Sequence, residues 1–443
     1  MTRETIVIGL GTWGVGHLQP TLWKDPRVPV DASINFNYYR RWAELGEAGL
    51  LDFLFLADSQ FITHHSPNHE INRLEPFTLL SALAPLTQHI GLVGTASTTY
   101  NAPFNLARRF ASLELISGGR SGWNVVAGRD SGTAANFGQS EHADHDTRYR
   151  MALEHVRVVQ GLWDSFEEGA FPADLDTGRF FDPDKLHRLD HRGEFYSVAG
   201  PLSVSRSPQG QPVLFQAGGS EQGREFAATI AEGAFAAVRT FEESVAYYSD
   251  IKRRAVARGR DADSVLLLPW VTPTVAPTTA EALELARHHF EEDHQFEYLL
   301  AQFGRDFHWH DFSVYDPDAP FPDLSDQPDL VTLPQAIALV GRARREKLTL
   351  REAVLSSAGA TTFRAPAFTG SAEDVADELE RWFRGQALDG IKAVFRTEDD
   401  IRAFTEHVVP ILQQRGLFRT RYEHTTLRGN LGLKVPENRY SRN

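Results

Sequence analysis

Asp58, Thr95 and Ser220 each stand at or just past the end of a short apolar run, LDFLFLAD, IGLVGTAS and PVLFQAGGS respectively. Their chemistry differs in kind. A carboxylate after a buried strand suits either a ligand contact or a turn cap. The small residues around Thr95 let a flat ring come close to the backbone, or simply relieve crowding. At Ser220 a helical pattern, EQGREFAATIAEG, starts at once, so free backbone N–H groups and a hydroxyl form a cradle for phosphate, although a plain N-cap satisfies the same residues. Each helix-dipole contribution is worth only about 0.3–1 kcal/mol, whereas micromolar binding needs about 8 kcal/mol. A phosphate cradle must therefore be joined by burial of a ring. His145 and Tyr149, four residues apart in HDTRY, can face one direction at a helix start. Arg148 between them adds fixed positive charge suited to a phosphate carrying about 1.5–2 negative charges. The bland alternative is a His and a Tyr that face solvent.

These residues need a scaffold that brings strand ends together. ETIVIGLGTWG opens the chain as a first strand, and YYRRWAELGEAGL follows as an amphipathic helix. Strand and helix patterns then alternate through LDFLFLAD, IGLVGTAS, SGWNVVAG, PVLFQAGGS, GAFAAV, SVLLLPWVTP and GIKAVFRT, the last followed by DDIRAFTEHVVPILQQRG. Runs that are apolar throughout are the mark of strands buried on both faces of a parallel sheet. The repeating units predict an α/β fold, a (β/α)8 TIM barrel forming one domain over residues 1–443, with insertions after strands four and seven at about 167–211 and 304–367. A hairpin is expected around Gly193, a single long helix over TTAEALELARHHFEEDHQFEYLLAQF, and a capping box at Ser371 and Asp374. The aromatic stretch FHWHDFSVY in the second insertion suits a lid that keeps a site dry.

Other readings of the same residues fall away. Gly9, Gly11 and Gly14 match G-x-G-x-x-G, but Pro20, Pro26 and Pro29 follow where a dinucleotide site needs a helix. The chain has no cysteine, which excludes disulfides and thiolate chemistry. A formal charge of −14 argues against nucleic acid or an anionic membrane as partner. No apolar run approaches the roughly 20 residues of a membrane helix, and the N-terminus lacks a secretory pattern, so a cytoplasmic protein is expected. Of the 17 histidines, His288 with Glu292 and His289 with Asp293 have helical spacing, but H-E-x-x-H is absent and no metal is expected.

The combination of FLFLADS, GTASTTYNAPFNLARRFASLELISGGRSGWNVVAG, AANFG, HDTRY, QAGGSEQGREFAA and GLFRTRYEHTTLRGNLGL resembles the bacterial-luciferase-like flavin monooxygenases. Within that family the resemblance is specifically to the branch of nitrilotriacetate monooxygenase component A and the dibenzothiophene sulfone monooxygenases. The resemblance implies a barrel that binds FMN as FMNH2, supplied by a separate NAD(P)H:flavin reductase, and uses O2 to oxygenate a small apolar or heterocyclic substrate, S- or N-containing ones included, through a flavin peroxide. It implies FMN contacts at Asp58, Thr95, His145, Tyr149 and Ser220, with Asn124 and Gln216 as neighbours, and a homodimer or homotetramer. His17 and the pair His64 and His65 stand on loops at the same mouth, as substrate contacts, proton carriers or ordinary loop residues. The last strand departs from the family pattern, reading KAVFRTEDD where apolar residues often continue. A deazaflavin-dependent oxidoreductase on the same barrel, or a flavin-binding protein without turnover, is the alternative.

Overall fold

The computed structural model describes residues 3–14, 19–64, 66, 71–128 and 130–441. Parallel strands close into a barrel: β1 (Val7–Thr12), β2 (Phe53–Leu56), β3 (Gly91–Ser97), β4 (Ser121–Val126), β5 (Val213–Ala217), β6 (Gly233–Ala236), β7 (Leu266–Val271) and β8 (Gly390–Val394). Each strand pairs with the next in the chain, and β8 returns to β1 in the register Gly9 to Lys392. All eight expected strands are present at the expected places, and the fold is a (β/α)8 barrel.

The strands read as unbroken apolar runs because both faces are covered. Leu54, Leu56, Ile391 and Ala393 point outward under the helices, while Phe53, Phe55, Phe215 and Phe235 point inward. The inward rings stack at centroid distances of 5.0–6.1 Å and fill the bore. Gly9 is explained by that filling: a Cβ there would lie 2.1 Å from the Phe53 ring. The glycines that match a dinucleotide fingerprint thus begin with one that makes room for a ring on the neighbouring strand.

Helix starts follow the local chemistry. Glu75 caps Pro76–Leu83 through the N–H groups of Phe77 and Thr78, Asp144 caps His145–Trp163, and Ser220 caps Glu221–Ile230. The capping box at Ser371 and Asp374 is formed, and His191–Arg192 pairs antiparallel with Ser197–Val198 as the hairpin around Gly193. The long helix expected after β7 is two helices, Thr279–Asp293 and Phe296–Arg305. The break falls at His294, whose backbone N–H and Nδ1 both bond to the Phe290 carbonyl, at 3.1 and 2.8 Å.

The stretch 304–367 carries helices Pro334–Glu346 and Leu350–Ala358 and a separate apolar cluster built on Phe303, Phe307, Phe312, Val340, Leu350 and Val354. Phe307 and Phe312 are fully buried there, so the aromatic residues of FHWHDFSVY hold this segment together rather than facing a chamber. Arg305 fastens it to the loop after β4 through Asp130 at 3.0 Å. At the opposite end, Leu427 and Leu431 of the tail plug the bottom of the barrel. Among the described residues, no helix is long and apolar enough to cross a membrane.

Candidate active site at the barrel mouth

The carboxyl ends of the strands carry the residues singled out in the sequence, and the structure sorts them into three groups. The first is built where β5 meets its helix. Ser220 Oγ accepts from the Gly223 N–H at 3.0 Å, and the Tyr149 hydroxyl lies within hydrogen-bond reach of Ser220. Tyr149 packs its ring edge on Phe226 at 5.5 Å and stands 4.9 Å from the His145 ring, so His145, Tyr149 and Ser220 do come together. The turn beneath them is tight. A Cβ on Gly218 would lie 2.9 Å from the Gly223 Cα, whereas one on Gly219 would meet nothing within 4 Å. The Tyr247 hydroxyl donates to the Gly218 carbonyl at 3.1 Å, and Arg224 Nε to that of Gly219 at 3.2 Å, which fixes the turn from behind. Open space over a helix start, flanked by a hydroxyl and a phenol, has the makings of a phosphate site.

The second group lies inside the barrel. Thr95 Oγ1 accepts from Asn124 Nδ2 at 2.9 Å, and both side chains are buried. Asn124 Oδ1 is left without a partner, as are Gln216 Oε1 and Arg148 Nε. Orphaned buried polar atoms cost free energy unless something satisfies them. Gln216 shares the outward face of β5 with Leu214 and its amide lies against the Gly218 turn, so it belongs with the first group. The Asn124 acceptor in the bore and the Arg148 donor fit a ligand that offers both N–H groups and anionic oxygens, as a flavin mononucleotide does.

Asp58 forms the third group, paired with Arg73 at 3.2 Å. Burial pushes its carboxyl up to about 6, with Arg73 opposing the shift. That raised proton affinity comes from burial, which the sequence did not disclose. Asp58 and Thr95 wall one open cavity of about 760 Å³ with Phe77, Asn101 and Asn105. His17 and His65 lie outside the described residues.

A second cavity, of about 250 Å³, opens beside the strand ends of β7 and β8. Trp270, Phe290 and Phe363 give it aromatic walls, and His289, Arg364 and Arg396 bring polar groups. Arg396 is held by Asp293 at 2.6 Å, while burial pushes the Asp293 carboxyl up to about 6 and pulls His289 down to about 3. His289 is therefore a neutral imidazole at physiological pH. Asp293 thus takes an arginine 103 residues further on, a partner invisible to local spacing. The sequence also missed the hydrogen bond of Tyr100 to His142 over the mouth; a Tyr and a His in two loops carry no periodic signal.

The comparisons with known proteins bear on this mouth. The family model described as luciferase-like monooxygenase matches residues 20–389. The chain is 41% identical over 442 residues to N-acetyl-S-(2-succino)cysteine monooxygenase of Bacillus subtilis (strain 168), covering 99% of both chains. It is 39% identical over 433 residues to nitrilotriacetate monooxygenase component A of Aminobacter aminovorans, covering 94% of each. A crystal structure of a riboflavin lyase with modified FMN and riboflavin superposes with a TM-score of 0.84 at 33% identity, over 98% of this chain and 97% of that one. The expected branch is thereby met. The chain belongs to the luciferase-like monooxygenase family and is a flavin-dependent monooxygenase.

Proposed function

We propose that this chain is the oxygenating half of a two-component system, taking FMNH2 from a separate NAD(P)H:flavin reductase and using O2 to oxygenate a small organic substrate. It acts in the cytoplasm as one barrel domain with insertions at about 167–211 and 304–367. The observation that carries this reading is the arrangement at one barrel end of the Ser220, Tyr149 and His145 cluster and the Thr95–Asn124 pair with its unsatisfied amide oxygen. Ser220, Tyr149 and the helix start would hold the phosphate, Arg148 and His145 its charge, and Thr95, Asn124 and Asp58 the ring. When bound, reduced FMN supplies the electrons that activate oxygen.

The chain's own residues do the rest. Trp270, Phe290 and Phe363 would give a substrate apolar walls in the adjoining cavity, and a neutral His289 would offer a hydrogen bond there without charge. Arg364 on the same wall suits an acidic group. The substrates named for the two relatives, nitrilotriacetate and N-acetyl-S-(2-succino)cysteine, join carboxylates to nitrogen or sulfur. We read the substrate here as a sulfur- or nitrogen-containing organic acid with an apolar body.

The reading is tested by supplying those two compounds, with dibenzothiophene sulfone, to the chain in the presence of a flavin reductase, NADH, FMN and O2. Product that carries an oxygen atom from labelled O2, and that vanishes when reductase is left out, is the expected result. Turnover that ignores oxygen and runs on a reduced deazaflavin would replace this reading with hydride transfer.

A further inference from the structure

Lys392 interrupts an apolar strand, GIKAV, and its side chain runs into the bore of the barrel. The amine stands over four ring faces, 4.4 Å from the centre of Phe55, 4.8 Å from Phe235, 5.0 Å from Trp13 and 5.4 Å from Trp270. The residue is only 5% exposed. Burial alone brings its amine down to about 7, with no charged group among the described residues acting in the other direction. Ring faces attract the charged form but do not neutralise it. Among the described residues such a lysine has no counter-ion.

The sheet register shows where that counter-ion would come from. Phe55 pairs with Val93, and the next inward residue on β3 is Thr95, bonded to Asn124. Thr95 thus stands one step nearer the mouth than Phe55, over whose ring the amine lies. Below it the bore is packed with Phe53 and Phe215, and beyond them Leu427 and Leu431 close the barrel. An anion can approach Lys392 only from the mouth.

We propose that Lys392 sets a positive charge under the flavin ring and thereby selects the reduced, anionic cofactor over the oxidised one. This rests on the reading of Thr95 and Asn124 as contacts of that ring. The two redox forms share phosphate, ribityl chain and ring area, so Ser220, Tyr149 and the helix start hold both alike. They differ in charge: reduced FMN carries a negative charge on its pyrimidine ring near neutral pH, and oxidised FMN does not. A desolvated amine acts strongly on that difference because little water screens it. The aromatic walls keep the amine dry without offering a competing carboxylate. An enzyme fed by a separate reductase gains from this twice, capturing FMNH2 from solution and releasing FMN afterwards.

The test is anaerobic titration of the full chain and of Lys392→Met with FMN and with dithionite-reduced FMN. The unaltered chain is expected to prefer reduced FMN by tenfold or more. The variant should keep its affinity for oxidised FMN within about twofold and lose the preference, a tenfold change equal to about 30 mV in the potential of the bound flavin. Equal weakening of both forms, or an unchanged ratio, overturns the proposal. Binding of neither form by the unaltered chain overturns the flavin site itself, and the role of Lys392 with it.

A second measurement needs no variant. Among the described residues, the groups that face the amine, Trp13 just beyond β1, Phe55 on β2, Phe235 on β6 and Trp270 on β7, do not titrate. At pH 8 in weak buffer, binding of reduced FMN should therefore take up about one proton more than binding of oxidised FMN. Identical proton uptake by the two forms overturns the proposal.

Discussion

Arg428→Ala lowers the unfolding free energy by about 3 kcal/mol or more, measured from denaturant midpoints, without touching the barrel mouth. Arg428 is 1% exposed and sits in the tail that plugs the bottom of the barrel. Its guanidinium bonds both oxygens of Glu232 at the foot of β6, and the carbonyls of Gln209, Gln211 and Lys434 at 3.1, 3.1 and 3.0 Å. Gln209 in turn reaches Glu114 and the Ser121 carbonyl at the foot of β4. Alanine would leave Glu232 without its cation and three carbonyls without a donor, which costs far more than the net worth of the intact pair. Residues on this face of a barrel serve stability. The variant should retain full affinity for reduced FMN at temperatures where it is folded; a loss of affinity in the folded protein would show that the two ends are coupled.

The second large effect is expected at the turn after β5. Gly218→Val should weaken reduced FMN by tenfold or more, about 1.4 kcal/mol. The added Cβ would lie 2.6 Å from Gln216 Nε2 and 2.9 Å from the Gly223 Cα. The amide can swing aside, but the helix backbone cannot, so the first turn of Glu221–Ile230 must move off the strand. Its N–H groups and Ser220 would then no longer point at one place. Gly219→Ala is the control for stability, since its Cβ enters open space and the melting temperature should stay put. Unchanged flavin affinity in Gly218→Val would remove the phosphate from this turn.

The barrel was legible because its signal is local and redundant. Each strand is a short apolar run followed by a turn and an amphipathic helix, and eight repeats of that unit leave little room for another topology. Ser220 was legible for the same reason: its N-cap is formed by the next three residues. The partners of Asp58 and Asp293 were not. Arg73 and Arg396 reach them across gaps in sequence that no periodicity spans, and the resulting shifts in proton affinity depend on burial that composition does not report. The break at His294 was hidden because the helical pattern continues on both sides, and the second hydrogen bond from its side chain to the Phe290 carbonyl has no periodic signal. Lys392 was visible only as an oddity in the last strand. Its meaning needed four aromatic residues from four separate segments.

The proposed flavin site at this barrel mouth rests on the Ser220 and Tyr149 cluster. It is tested most directly by following fluorescence during anaerobic titration of the unaltered chain, Ser220→Ala and Tyr149→Phe with reduced FMN. The account predicts saturable binding by the unaltered chain, and a loss of about 1 kcal/mol, roughly fivefold in affinity, in each variant. Affinity identical in all three proteins would contradict it.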